Sequence, residues 1–176
     1  MSKIYTKKGD TGFTSTLTQS GIKKDNDLFD ILGSIDSLNV AIGALDTDYT
    51  YHKDLQRILI YISGVLQQPN IDSYELDTDA VLSEMEEKID DITETLPKLT
   101  KFLLIGNEDF EIKSHNCRLI TREVERKLVA KDNIHLDILK FFNRLSDYFF
   151  TLARVYSSEQ SEYKGIPKRY KKNVVN

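Results

Sequence analysis

From Leu28 onward, apolar residues recur at spacings of three and four: Leu28, Ile31, Leu32, Ile35, Leu38, Ile42 and Leu45. That spacing keeps one face of a 3.6-residue helix apolar and predicts a first amphipathic helix over 28–45, capped by Asp25 or Asp27. A second helix is predicted over 51–68, ended by Pro69. A third, over 79–95, sets Leu82, Met85, Ile89 and Ile92 on one side and many acids on the other, before Pro97 ends it. A polar loop over 71–78 joins the two. The run FLLI, Phe102 to Ile105, leads into the turn-like GNED, and two more helices follow over 110–130 and 134–158. Residues 1–26 show no helical period and read as an ordered polar loop with a short strand around Lys3 to Thr6. The Lys-rich segment 161–176 reads as a mobile tail. Five helices of roughly 16 to 25 residues with short connections predict one all-α domain over 1–176, an up-and-down five-helix bundle whose helical part covers 27–160.

Composition narrows the classes without changing this picture. Charged residues make up 30% of the 176-residue chain and the apolar set 40%, the mix of a globular protein. A net charge of −4 argues against a general nucleic-acid binder. Cys117 is alone, so neither an intrachain disulfide nor a Cys-based zinc site is available, and a reducing compartment is the natural reading. No apolar run approaches a membrane span, and the first residues, MSKIYTKKGD, have neither a signal core nor transit-peptide character, so a cytoplasmic protein is expected. No Rossmann fingerprint, P-loop, nucleophile arrangement or metal-ligand spacing is present, and His52, His115 and His135 receive no catalytic role.

Four stretches carry candidate chemistry. In NCRLITREVERK, Arg118, Arg122 and Arg126 stand four apart and form one stripe along the fourth helix. They repel one another, with Glu125 offsetting part of that. The stripe is either a solvated charged face or an anion site, since guanidinium forks bind phosphate oxygens pairwise. In FFNRLSDYFFTLAR, Asn143, Arg144, Ser146 and Asp147 sit beside the apolar stripe of Phe142, Leu145, Phe149 and Leu152. An unpaired buried carboxylate is costly, so Asp147 must reach water or a partner, in a polar core network or in a site. In SIDSLNVAIG, Asp36 and Asn39 border the apolar face, and Asp36 is either a local hydrogen-bonding residue or a partner for an arginine on the fourth helix. The leader TKKGDTGFTST is either a flexible polar segment or a phosphate cradle, in which glycines let backbone amides approach an anion.

Taken in order, KIYTKKGDTGFTST, LGSIDSLNVAIG, LPKLTKFLLI, HNCRLITREVER and FFNRLSDYFFTLAR resemble the PduO-type ATP:cob(I)alamin adenosyltransferases. The resemblance implies a homotrimer of five-helix bundles with an active site at each subunit interface. It places ATP on Thr6, Lys7, Lys8, Gly9, Thr14, Ser15, Lys24, Arg122, Glu125, Arg126 and Asn143. It also implies catalytic roles for Asp36, Arg118 and Phe102: an intersubunit salt bridge between Asp36 and Arg118 that supports cobalamin and ATP binding, and Phe102 at the lower face of the corrin. The implied reaction gives adenosylcobalamin and triphosphate from ATP and cob(I)alamin, with Mg²⁺ on the phosphates and no metal site built from protein ligands. Partners implied are a flavoprotein reductase and a cobalamin-dependent acceptor enzyme. Departures from the pattern are Lys8 for Thr, Gln19 to Ile22 for a Gly-Glu-Arg segment, Ser37 for Glu, Gly106 and Asn107 within a Pro-Gly-Gly turn, and Glu123 for Arg. Two other readings stand beside it: a catalytically weak or inactive ATP- or corrinoid-binding carrier or sensor of the same fold, and a helical module whose arginine stripe binds an acidic partner protein.

Overall fold

The computed structural model describes residues 4–45, 47–68, 75–106, 108–131, 133–157, 162–167 and 169. Its helices are α1 (Asp27–Gly43), α2 (Tyr49–Leu66), α3 (Thr78–Glu94), α4 (Asp109–Val129) and α5 (Leu136–Val155), preceded by two short strands, β1 (Phe13–Thr14) and β2 (Ile22–Lys23). The strand expected around Lys3 to Thr6 is corrected: residues 4–6 are not extended in a ladder, and Lys3 lies outside the described residues. Pairing instead joins Phe13 to Lys23 and Thr14 to Ile22, folding the leader back on itself. Neither Asp25 nor Asp27 caps α1. Asn26 does, its side chain accepting the Leu28 N–H at 3.0 Å. The fifth helix is shorter than its apolar pattern suggests, because the His135 side chain caps it at one end and the helix closes at Tyr156 at the other.

Packing is richest between α4 and α5, followed by α3 on α5, α1 on α4 and α1 on α2. The helices therefore stand in the spatial order α2, α1, α4, α5, α3, which is not their order in the chain. Directions follow from cross-helix pairs. Lys127 reaches Asp30 and Ser34, and Glu125 meets Asn143 while Phe110 meets Tyr156, so α4 runs against both α1 and α5. Asn39 and Gln56 exchange hydrogen bonds near the α1–α2 turn, so α2 also runs against α1.

The core is built on α5. Phe141, Phe142, Leu145, Tyr148 and Phe149 are all buried, and they meet Ile35, Leu38, Leu55, Leu59, Cys117 and Val124 from the other helices. The predicted stripes of α1 and α5 are the buried ones. On α3 only Met85 is fully buried among the apolar positions, as suits a helix packed on one flank of the bundle. No described helix is long and apolar enough to cross a membrane. The tail expected over 161–176 lies largely outside the described residues. Where it is described, Glu162 bridges Leu103, and the Tyr163 N–H donates to the Phe102 carbonyl at 2.7 Å.

One polar pair is sealed in this core: His52 Nε2 and the Tyr148 hydroxyl lie 3.0 Å apart. Burial holds the His52 imidazole below its ordinary range, with Asp48 opposing and Lys88 reinforcing. The unfolded chain takes up that proton near pH 6.5, whereas the folded chain resists until lower pH, so acid favours unfolding through this group. The denaturation midpoint should fall between pH 7 and pH 5, and His52→Gln, which keeps a polar partner for Tyr148 but does not titrate, should show a shallower fall. Equal slopes would exclude His52 as a source of the acid sensitivity.

Candidate functional site

The leader is a compact hairpin anchored to one end of the bundle. The Thr18 hydroxyl donates to the Gln67 carbonyl at 2.7 Å, and the Leu17 N–H donates to the Gln67 side chain at 3.2 Å. The Lys24 N–H closes on the Gly12 carbonyl at 2.9 Å, which brings Lys24 back beside the start of the loop. A β-carbon on Gly9 would lie 3.0 Å from the Lys24 amine, so the absent side chain is what lets the amine come close. Lys7 has φ of 60°, a left-handed conformation that costs a non-glycine residue about 1 kcal/mol. Thr6, Lys7, Lys8, Ser15 and Lys24 are exposed, while Gly9 and Thr14 are half-buried.

On α4 the three arginines differ. Arg122 and Arg126 are exposed, and Arg118 is half-buried. The Arg118 Nε donates to His115 Nδ1 at 3.3 Å, and burial followed by the charge of Arg122 pulls its guanidinium below the usual value. Asn143, exposed on α5, donates to Glu125 at 3.0 Å, so Glu125 is spent on orienting Asn143. Glu123, which stands between the retained arginines in sequence, points elsewhere. Its carboxylate takes the Lys127 amine at 2.9 Å and the Ser34 hydroxyl at 3.3 Å, and Lys127 first among these holds it below the usual carboxylate range. The acid that interrupts the stripe in sequence therefore leaves it in space.

The other polar residues of FFNRLSDYFFTLAR are bundle fasteners. Arg144 forms ion pairs with Glu86 of α3 at 2.9 Å and with Asp147 at 3.1 Å, so these two face α3 while Asn143 faces α4. Asp147 finds its partner on its own helix, in Arg144. Ser146 is buried.

Among the described residues, Lys7, Lys8, Lys24, Arg122 and Arg126 form no ion pair, while Lys23, Arg57, Lys88, Lys127 and Arg144 all do. Two groups of uncompensated cations therefore lie on the molecule, one on the leader and one on α4. None of the leader residues singled out above is hydrogen-bonded to α4 or α5 among the described residues, and Asp36, exposed on α1, forms no ion pair with Arg118 in the same chain. Asp36 instead borders an open groove of about 400 Å³ between α1 and α2, with Asn39, Ile60 and Gln67. Phe102 is 84% exposed, followed by exposed Leu104 and Ile105. No group of three His, Cys, Asp or Glu placed to hold a metal occurs among the described residues.

The sequence pattern described as Cobalamin adenosyltransferase matches residues 4–156. The chain belongs to the cobalamin adenosyltransferase family. Its similarity to the human corrinoid adenosyltransferase MMAB is 35% identity over 97% of this chain and 74% of that protein. To the corrinoid adenosyltransferase of Bacillus subtilis (strain 168) it is 36% identity over 87% of this chain and 86% of that one. Among solved structures it is similar to a variant PduO-type ATP:corrinoid adenosyltransferase from Lactobacillus reuteri complexed with cobalamin and ATP, with a TM-score of 0.83 and 30% identity over 93% of this chain and 100% of that one. For a cobalamin adenosyltransferase, sequence reasoning had missed the Glu111 and His115 side chains beneath Arg118. Both are buried, and only the i, i+4 spacing of an acid and a histidine hinted at them.

The free cations of this family member are not structural. Arg122→Ala with Arg126→Ala should change unfolding stability by no more than about 0.5 kcal/mol, because relief of repulsion offsets what little packing is lost. Arg144→Ala should cost up to about 1 kcal/mol through the exposed pair with Glu86. Denaturant unfolding of both variants checks this, and a large loss in the first would mean that the stripe supports the fold.

Proposed function

We infer that the chain transfers the 5′-deoxyadenosyl group of ATP to cob(I)alamin, giving adenosylcobalamin and triphosphate. The observation that carries this is the set of uncompensated cations, Lys7, Lys8, Lys24, Arg122 and Arg126, on a chain whose whole fold matches a corrinoid adenosyltransferase that binds ATP and cobalamin. The carrier or sensor reading is not favoured, since the relatives that match most of the chain are named as adenosyltransferases.

In the proposed reaction the cobalt of cob(I)alamin supplies its electron pair to the 5′ carbon of ATP, the cobalt–carbon bond forms, the carbon–oxygen bond breaks, and triphosphate leaves with that electron pair. No protein nucleophile or general acid is needed. The protein's work is to hold the two substrates in line and to stabilise negative charge on the leaving triphosphate. Lys7, Lys8 and Lys24, with the Thr6, Gly9, Thr14 and Ser15 region of the loop, bind the phosphates from one side. Arg122 and Arg126 bind from the other, and Asn143, oriented by Glu125, contacts the nucleotide. Mg²⁺ would ride on the phosphates and add charge neutralisation.

We place the complete site between subunits of a homotrimer. Among the described residues no hydrogen bond or ion pair joins the leader to the arginines within one chain, and neither Asp36 nor Arg118 forms a carboxylate–guanidinium pair. In the trimer Asp36 of one subunit pairs with Arg118 of its neighbour, and exposed Val40, Ile60 and Leu119 become buried. Phe102 then stands at the lower corrin face, where an apolar group displaces the lower axial ligand and eases reduction to Co(I). A flavoprotein reductase, a cobalamin-dependent acceptor and a cytoplasmic setting complete the proposal.

The test is anaerobic incubation with cob(I)alamin and ATP, following adenosylcobalamin and triphosphate together. Product is expected; ATP binding without product would replace the enzyme by a carrier. Arg122→Ala should abolish ATP binding and leave the bundle folded, and normal turnover in that variant would end the anion-site reading. Phe102→Ala should impair formation of four-coordinate cob(II)alamin far more than ATP affinity, and equal losses in both would remove its assigned role. Sedimentation equilibrium should give three times the mass of the chain; a monomer that turns over would overturn the interface site.

A further inference from the structure

At the start of α4 a carboxylate is buried against the segment that carries Phe102. Glu111 is 3% exposed, and its Oε1 accepts the Gly106 N–H at 3.1 Å. Its Oε2 has no hydrogen-bond partner among the described residues. A β-carbon on Gly106 would lie 2.6 Å from that oxygen, so loop and carboxylate are fitted to one another. One turn further on, buried His115 places Nε2 at 4.0 Å from Glu111 Oε1, and its Nδ1 accepts from Arg118 Nε. A ring nitrogen that accepts from a guanidinium carries no proton, so this imidazole is neutral with its single N–H on Nε2, turned to the carboxylate. Burial, then Arg118, keeps it neutral by lowering its pKa, with Glu111 opposing. The Phe150 ring of α5 closes the other side, 6.2 Å between centroids.

A brace for the helix start alone would need only the Gly106 contact. Here the line continues through His115 to Arg118, and joins the two groups that the proposed reaction needs around one corrin. We propose that Glu111 and His115 are positioning residues for the corrinoid: Glu111 clamps the Phe102–Gly106 segment to α4, and His115 holds the Nε side of Arg118 so that its Nη groups are left for Asp36 of the neighbouring subunit. The proposal rests on the adenosyltransferase reading given above. Neither residue touches the reacting atoms. Both act by fixing where Phe102 and Arg118 stand, as supporting residues do for groups whose placement must be held closely.

The experiment varies ATP and cob(I)alamin separately in steady-state assays of the full chain. Glu111→Ala and His115→Leu should each raise the KM for cob(I)alamin about tenfold and leave the KM for ATP unchanged. His115→Asn, whose side-chain oxygen can take the Arg118 N–H, and Glu111→Gln, which can still accept from Gly106, should recover most of the loss. Hydrogen exchange over 102–106 should quicken in Glu111→Ala and return in Glu111→Gln, a readout that needs no turnover. If Glu111→Ala and His115→Leu melt lower yet keep the wild-type KM for cob(I)alamin, the residues are structural only and the proposal falls. Failure of both conservative variants to recover the corrinoid KM, with their folds intact, overturns it as well. A wild-type chain that forms no product overturns the adenosyltransferase reading instead.

Discussion

Burial of α5 on two sides is the constraint on which the rest of the molecule depends. Phe141, Phe142, Leu145, Tyr148 and Phe149 take the interior, with α4 against one flank and α3 against the other. Each large side chain removed from water contributes on the order of 2 kcal/mol, so the orientation of this helix has no close competitor. Once it is fixed, Asn143 can only emerge toward α4, and Arg144 and Asp147 only toward α3. A hydrophobic requirement thereby decides which polar residue faces the arginine helix and which serve the bundle.

Charge completes the division. Some acids of the bundle serve to brace helices: Glu123 and Lys127, paired along α4, both reach Ser34 of α1, and Glu86 of α3 pairs with Arg144 of α5. Lys7, Lys8 and Lys24 of the leader and the arginines of the α4 stripe form no ion pair among the described residues. Leaving them so costs self-repulsion, which a polyphosphate would relieve if it bound as proposed. The carboxylates that do approach them, Glu123 and Glu125, are occupied elsewhere.

Much of this was legible in the sequence, and the reasons differ by element. The periods of α1 and α5 announced their buried faces because core contact imposes the spacing directly. The arginine stripe was legible as a stripe, but not as a site, because spacing cannot distinguish a solvated face from an anion cradle. Family motifs are what make the anion site the proposed reading. The placement of α3 beside α5 was not legible, since either flank of the bundle satisfies its thin apolar face of Leu82, Met85 and Ile89. The hairpin of the leader escaped notice because two-residue strands leave no alternation to read. Glu111 and His115 were invisible for a similar reason: a buried polar pair is defined by what surrounds it in space, and that depends on the fold of residues 102–106.

The contact of Tyr163 with the Phe102 carbonyl and the bridge from Glu162 to Leu103 carry one further consequence. The segment bearing Phe102 precedes α4 and α5 in the chain, yet its bridge partner comes after both. During synthesis, therefore, this segment lacks its bridge while the bundle is already able to close, and it acquires that backing only when residues 162–163 arrive. The order of events is written into the connectivity: the scaffold first, its apolar rim last, so that an incompletely made chain carries Phe102, Leu104 and Ile105 on a segment without the backbone bridge that restrains it.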